Sequence, residues 1–384
     1  MTDYVGWSDY FTPQERQLQE TVRTFVQQEF LPRVVECHRS CRFPMDLVPR
    51  MGELGLFGVP LQGYGCPGKS AREYGLVMLE LERGDSSLRT MASVQGALGM
   101  YAIHRYGSEE QKQYWLPRLA RGEALTGFAL TEPNHGSDPA GMQARVRKIG
   151  DTYVLTGEKK WIGNAGLADI VVVWAKDEDG TISGFLVDPK AEGCTTTLIE
   201  GKFSLRIAQT YSMRFQECVV PLENRLPHAV GLKTALDCLS QARFGIVWGV
   251  LGAATDCYET ALKYVKSRAQ FGKPLGAFQL VQEKLVWMLT EITKGQLLAL
   301  QLAHLKEQGR LRPQQISLAK RNNVWMALQC ARMARDILGA VGITDEYSVI
   351  RHMLNLESVY TYEGTHDIHT LIVGADITGT PAFS

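Results

Sequence analysis

Ile170-Val171-Val172-Val173-Trp174-Ala175, the turn Asp177-Glu178-Asp179-Gly180, and Ile182-Ser183-Gly184-Phe185-Leu186-Val187 follow one another in the middle of the chain. The two outer runs are strand-length and rich in β-branched and aromatic residues. The acidic, Gly-ended tetrapeptide between them reads as a hairpin turn. Thr152-Tyr153-Val154-Leu155-Thr156-Gly157, just upstream, has the same character. Several short strands between about 125 and 227, with no long helix among them, predict a compact antiparallel β-domain rather than a doubly wound sheet.

Outward from that stretch the period changes. On the N-terminal side, Thr12-Pro13-Gln14-Glu15 is a helix start with a Thr cap, Pro at the first position and acid in the first turn. Leu18, Val22, Phe25, Val26 and Phe30 then recur at helical spacing, giving one apolar face. Further helices are expected at 46–54, 71–83, 90–105 and 109–121. On the C-terminal side, helical runs are expected at 233–267, 276–308, 313–339 and 346–359, with ends marked by Gly309 near Pro313 and by the Gly339–Gly342 turn. The predicted fold class is α+β: an N-terminal helical domain (1–124), a central antiparallel β-domain (125–232) and a C-terminal four-helix bundle (233–384).

Composition narrows the function classes. The 384 residues carry 41 Lys+Arg and 41 Asp+Glu, a formal net charge of zero. That argues against a nucleic-acid binder, which needs a basic excess. No apolar run approaches the ~18 residues of a membrane span. The eight cysteines form no CxxC pair and read as reduced thiols. The start, Met1-Thr2-Asp3-Tyr4, resembles neither a secretory signal nor an Arg-rich presequence, so a reducing bacterial cytoplasm is the expected location, with a processed organellar form as the alternative.

Standard catalytic devices are missing: no GxGxxG after a strand, no GxxxxGK[ST], no HExxH and no GxSxG. His366 and His369 are close, yet no trustworthy metal spacing surrounds them, and no metal is expected. Three stretches remain. Thr131-Glu132-Pro133-Asn134-His135-Gly136-Ser137-Asp138-Pro139 offers hydroxyls and backbone N–H groups to a heteroatom-rich ring or a phosphate. Arg268-Ala269-Gln270-Phe271-Gly272 sets an Arg beside an aromatic residue near a helix end, a candidate diphosphate clamp. Tyr362-Glu363-Gly364-Thr365-His366-Asp367 places a carboxylate before a Gly at the mouth of a helix. Each alone is compatible with an ordinary turn, solvated face or helix cap; their joint occurrence on the α–β–α plan is what makes them a site.

With "LTEPNHGSD", "KKWIGN", "SRAQFGKPL" and "YEGTHDIH", the chain resembles the acyl-CoA dehydrogenase family over about residues 14–380. Through "LERGDSSLRTMASVQ", "YGSEEQKQYWLPRLA", "GKFSLR", "ARFGIVWGVLGA", "MLTEIT" and "KRNN" it is most similar to the glutaryl-CoA dehydrogenases. The resemblance implies a non-covalent FAD between the β-domain and the bundle, and a homotetramer in which one subunit reaches its neighbour's FAD. Phe128, Leu130, Thr131, Ser137, Trp161 and Gly163 match flavin-contacting positions of the family. Arg268, Phe271, Gln279 and Gly339 match positions that touch the partner's FAD, and Thr365 and Asp367 positions that face it. Glu363 matches the catalytic base, which takes the thioester α-proton as a hydride leaves the β-carbon.

Arg89 matches the residue that pairs a distal carboxylate, with Glu82, Thr90, Ser93, Tyr362 and Arg243 around the substrate. The competing reading of Arg89 is an ion pair with Asp85, one helical turn away. The reaction implied is oxidation of glutaryl-CoA and loss of CO2 to give crotonyl-CoA. Gly163 departs from the family's hydroxyl residue and would open space beside the flavin. The expected electron acceptor is therefore an electron-transferring flavoprotein or O2. Thr90, Ala340 and Ala375-Asp376 depart more mildly. Alternatives are a biosynthetic dehydrogenase or oxidase acting on another dicarboxylic acyl thioester, on CoA or a carrier protein, and a non-catalytic acyl-thioester-binding paralogue.

Overall fold

The computed structural model describes residues 3–382. Met1 and Thr2, where the reading of the chain's start begins, lie outside the described residues, as do Phe383 and Ser384.

Helix α1 (Pro13–Phe25) opens with the expected device: Thr12 Oγ1 accepts from Glu15 N, and Glu15 Oε2 accepts from Thr12 N. After α2 (Val34–Ser40) and α3 (Leu47–Glu53), Ser70 and Glu73 repeat it at the head of α4 (Ala71–Gly84). Asp85 then breaks the helix with an extended φ of −169° and caps α5 (Ser86–Ser93). From there the chain runs helically through a π-helical stretch, Val94–Met100, into α6 (Tyr101–Tyr106). The helix expected at 90–105 thus begins earlier and widens in its middle. Helix α7 (Glu109–Ala120) completes this part.

The central strands are β1 (Thr126–Ala129), β2 (Arg145–Ile149), β3 (Thr152–Gly163), β4 (Ile170–Lys176), β5 (Ile182–Val187), β6 (Cys194–Leu198), β7 (Thr210–Pro221) and β8 (Arg225–Val230). The sheet order is β6-β7-β3-β2-β4-β5-β8, with β1 alongside β4. Pairing is antiparallel as expected, except that β1 and the first residue of β2 run parallel to β4. The Asp177–Gly180 turn forms as read, Asp177 Oδ1 accepting from the N–H groups of Asp179 and Thr181. Strand β4 is apolar up to its last residue, Lys176, because both its faces are covered. Ile170, Val172 and Trp174 join the core shared with the helices, while Val171, Val173 and Ala175 join a second core within the β-domain.

The C-terminal part begins with the long α8 (Leu232–Ser267) and a small hairpin, β9 (Ala269–Gln270) with β10 (Lys273–Pro274). Helices α9 (Gln279–Glu307), α10 (Pro313–Leu338), α11 (Val349–Thr361) and α12 (His366–Thr378) follow. Helix α4 packs across α8, and α10 lies against α8, α11 and α12. All eight cysteines are free thiols. Among the described residues no helix is long and apolar enough to cross a membrane, and no group of side chains could hold a metal ion.

Candidate active site

Helices α11 and α12 are joined by Tyr362-Glu363-Gly364, with Thr365 Oγ1 capping α12 by accepting from Ile368 N. Glu363 lies in the left-handed region at φ +55°, which costs a non-Gly residue roughly 1 kcal/mol. Gly364 follows at φ +94°, and a Cβ there would stand 2.9 Å from His369 Nε2. The turn is held by donors from three helices. Arg243 Nε on α8 donates to Glu363 O at 2.7 Å, and His369 Nε2 on α12 meets the same carbonyl at 3.2 Å. Lys320 Nζ on α10 donates to Tyr362 O at 2.7 Å and to Gly364 O at 2.6 Å.

Glu363 is half-buried as a residue, but its Oε2 is shut off from solvent and has no hydrogen-bond partner. Desolvation raises the carboxyl's pKa, while Arg89, Lys320 and Arg243 pull it back. Burial pushes Lys320 down to about 7, with Glu363 opposing. Burial and the nearby cations push His369 down to about 2, so the ring is neutral and its Nε2 donates to the carbonyl.

The Arg89 guanidinium on α5 is fully buried. Its Nε donates to Glu82 Oε2 on α4 at 2.8 Å, its Nη2 donates to Tyr362 Oη, and its Cζ lies 5.6 Å from the Tyr362 ring centroid. Burial opposes its charge, yet Glu82, Tyr362 and Glu363 together raise its pKa. The ion pair with Asp85 does not form. Asp85 instead accepts from Arg351 Nη1 at 2.6 Å and Asn355 Nδ2 at 2.8 Å, and caps α5 through Ser87 N. Glu82 Oε1 and the hydroxyls of Thr90, Ser93 and Tyr74 are buried without partners. Helix α8 must come close here, because a Cβ on Gly249 would collide with Glu82 Oε2. The result is a buried pocket in which three cationic side chains, Arg89, Arg243 and Lys320, face two carboxylates, Glu82 and Glu363. Its unpaired acceptors and donors beside the Arg89 guanidinium suit a polar acyl group.

The sequence matches the family descriptions "Acyl-CoA dehydrogenase, N-terminal domain" over residues 12–123, "middle domain" over 127–218 and "C-terminal domain" over 229–378. The chain belongs to the acyl-CoA dehydrogenase family. It is 50% identical to a glutaryl-CoA dehydrogenase from Mycobacterium smegmatis, with a TM-score of 0.98 over 100% of this chain and 99% of the other. A Mycobacterium smegmatis glutaryl-CoA dehydrogenase solved in complex with FADH2 is 49% identical, with a TM-score of 0.97 over 98% and 97% of the two chains. A glutaryl-CoA dehydrogenase solved with glutaryl-CoA is 33% identical, with a TM-score of 0.92 over 96% of each.

The other residues read from this acyl-CoA dehydrogenase's sequence fall into two groups. Phe128 and Leu130, at and just after the end of β1, are buried, Phe128 packing on Trp174 at 5.8 Å between centroids. Thr131 is half-buried, its carbonyl accepting from Lys160 N at 2.8 Å, and Ser137 is exposed. Trp161, at φ +66° in β3, turns its indole outward and is 56% exposed. A flat, exposed aromatic beside a hydroxyl-bearing loop fits a planar heteroaromatic cofactor with a polar tail. At Gly163 a Cβ would stand 3.2 Å from Val94 Cγ2, so Val94 borders the glycine on that side.

Arg268, Phe271, Gln279 and Gly339 form the second group. Arg268 caps the end of α8, Phe271 is 93% exposed at φ +52°, Gln279 opens α9 and Gly339 ends α10 at φ +63°. Among the described residues no hydrogen bond, ion pair or ring contact links them to Thr131, Ser137 or Trp161. Thr365 and Asp367 open α12. Lys320, His369, Tyr74 and Gly249 carried no assigned role in the sequence. "KRNN" and "THDIH" contained the first two; the contacts of Lys320 with the turn span 42 and 44 residues of chain, whereas that of His369 spans six.

Proposed function

We propose that this acyl-CoA dehydrogenase carries out oxidative decarboxylation of glutaryl-CoA to crotonyl-CoA. The observation that carries the reading is the buried Arg89, bound to Glu82 and Tyr362 and next in the chain of contacts to Glu363. Among the described residues its Nη1 has no protein partner, which leaves a guanidinium edge for the distal carboxylate of a dicarboxylic acyl chain.

Phe128, Leu130, Thr131, Ser137, Trp161 and Gly163 would hold FAD, which when bound would supply the acceptor for the β-hydride. Glu363 takes the α-proton through its unpartnered Oε2, a carboxylate desolvated toward the acidity of a thioester α-carbon. Arg89 holds the distal carboxylate until its bond to the γ-carbon breaks and CO2 leaves. The electron pair of that bond passes into the conjugated thioester, and Glu363 returns its proton to the γ-carbon. Thr90 and Ser93 line the acyl pocket with hydroxyls. Arg268, Phe271, Gln279 and Gly339 serve the FAD of a neighbouring subunit in a homotetramer, with Thr365 and Asp367 on the cofactor side of α12.

Incubation of the FAD-loaded protein with glutaryl-CoA and an artificial acceptor, read by product mass, tests this. Crotonyl-CoA is the expected product. Glutaconyl-CoA alone removes the decarboxylation, and no product removes the substrate. Reoxidation in air compared with transfer to an electron-transferring flavoprotein then identifies the acceptor. With Val94 beside Gly163, transfer to the flavoprotein is expected to be the faster.

A further inference from the structure

Three successive carbonyls, those of Tyr362, Glu363 and Gly364, turn toward nitrogen atoms from three helices. Arg243 and His369 take the middle one, and Lys320 Nζ takes the two outer ones at 2.7 and 2.6 Å. For a single nitrogen to reach carbonyls two residues apart, the residue between them must fold back on itself. Glu363 does so at φ +55°. The grip of Lys320 and the left-handed turn are one constraint.

Stability does not account for this lysine. Lys320 is 1% exposed in the N-terminal third of α10, a helix whose Ile316, Ala319, Val324 and Ala327 are also buried. Among the described residues no carboxylate pairs with it directly. A buried amine without a paired carboxylate is costlier than an apolar side chain of the same volume. What the amine does that an apolar group cannot is bind the two carbonyls that flank Glu363.

We propose that Lys320 is a positioning residue: by holding the Tyr362 and Gly364 carbonyls on one nitrogen, it fixes the turn that aims the Glu363 carboxylate at the thioester α-carbon. This rests on the functional reading above for the role of Glu363. Strain at a functional residue persists only where its surroundings over-determine it, and here donors from α8, α10 and α12 converge on one turn.

The test uses FAD-loaded protein with glutaryl-CoA and an artificial acceptor. Lys320→Met keeps a flexible apolar stem, one atom shorter, and removes the N–H donors; Lys320→Gln, of the same length as Met, keeps an N–H donor. In Lys320→Met, kcat is expected to fall about 10²-fold, the scale of an ångström's misplacement of a reacting group. KM stays within about threefold of the parent, because Arg89 and Glu82 still hold the substrate. Flavin absorbance per chain is unchanged, and Lys320→Gln loses less. Parental turnover by Lys320→Met overturns the proposal. So does a loss in both variants that comes only with loss of flavin or of the folded state, since Lys320 would then serve the fold and not the aim. A parent that oxidises no acyl-CoA refutes the functional reading instead. The crystal structure of Lys320→Met then decides: Glu363 leaving the left-handed region supports the clamp, and an unchanged turn overturns it.

Discussion

Arg89 and Arg268 sit in opposite surroundings. Around Arg89 the guanidinium, Glu82 and Ser93 are shut off from solvent, and the guanidinium bonds to Glu82 and Tyr362 within the chain. Around Arg268 the surface is open: Phe271 is 93% exposed, Leu280 79% and Val286 64%, all in the segment from the end of α8 into α9. An apolar surface of that kind marks an interaction site. One region buries its side chains within the chain and the other leaves large apolar side chains uncovered. Under the function proposed above, the first would be a substrate pocket belonging to each subunit and the second a cofactor site shared between subunits.

The sharpest way to break the comparison is at the buried region. Glu363→Gln keeps the shape of the turn and removes the base. Turnover of glutaryl-CoA is expected to fall about 10³-fold, within the range that general bases contribute, with flavin content unchanged. Residual turnover near the parental rate would mean that another group takes the proton. Arg89→Ala is next. It removes the partner of the distal carboxylate, so kcat/KM for glutaryl-CoA should fall about 10²-fold more than for butyryl-CoA, the scale of lost hydrogen bonds to a charged group. Equal losses on the two substrates would make Arg89 a structural residue and leave the pocket without a reason to be cationic.

A third effect is smaller and depends on pH. His369 is buried beside Lys320 and Arg243, and its folded pKa lies at about 2 against an ordinary 6.5. Below 6.5 the unfolded chain takes up a proton that the folded chain refuses until pH falls to about 2. Stability is therefore lost as pH drops through that window, by up to about 2 kcal/mol at pH 5 from this group alone. Urea unfolding of the parent and of His369→Gln at pH 7 and pH 5 checks the sign. The acid loss should shrink in the variant, and an unchanged loss would assign it elsewhere.

How much of this was legible in the sequence follows from how local each feature is. Strands β4 and β5 were plain because burial on both faces leaves an apolar run through Ile170–Ala175 and a mostly apolar one in β5, and their turn carried its own acidic and glycine signal. The parallel pairing of β1 with β4 was not, since Thr126–Ala129 meets Ile170–Val173 across a long excursion of chain and nothing local encodes direction. At the site, Glu363 before Gly364 was legible from its motif. The partner of Arg89 was not settled by spacing alone, because four residues is a helical turn and admitted Asp85 as a competing partner. Asp85 is not in a helix. Its extended backbone separates α4 from α5, turns Asp85 toward Arg351 and brings Glu82 to Arg89. Lys320 escaped for the same reason as β1: its two hydrogen bonds cross more than forty residues.

The open region yields the smallest effect on the chain itself, and that smallness is the point. The Phe271 ring has one ring contact among the described residues, an edge approach to Phe278 at 6.1 Å between centroids. Truncating such a side chain in an isolated subunit removes almost no buried surface, so Phe271→Ala should alter the denaturant stability of the flavin-free chain by less than about 0.5 kcal/mol. In the assembled protein the same ring is proposed to lie against a neighbouring subunit and its FAD. Dilution followed by sedimentation and flavin fluorescence should then show the variant dissociating and releasing flavin at higher protein concentration than the parent. A core residue would do the reverse, lowering chain stability by about 3 kcal/mol or more on losing a phenyl ring. If Phe271→Ala did that, the segment would be part of the finished fold and the contrast with Arg89 would fall. If stability holds while assembly weakens, the exposed edge is an unfinished half of a site, and its completion belongs to a second copy of the chain.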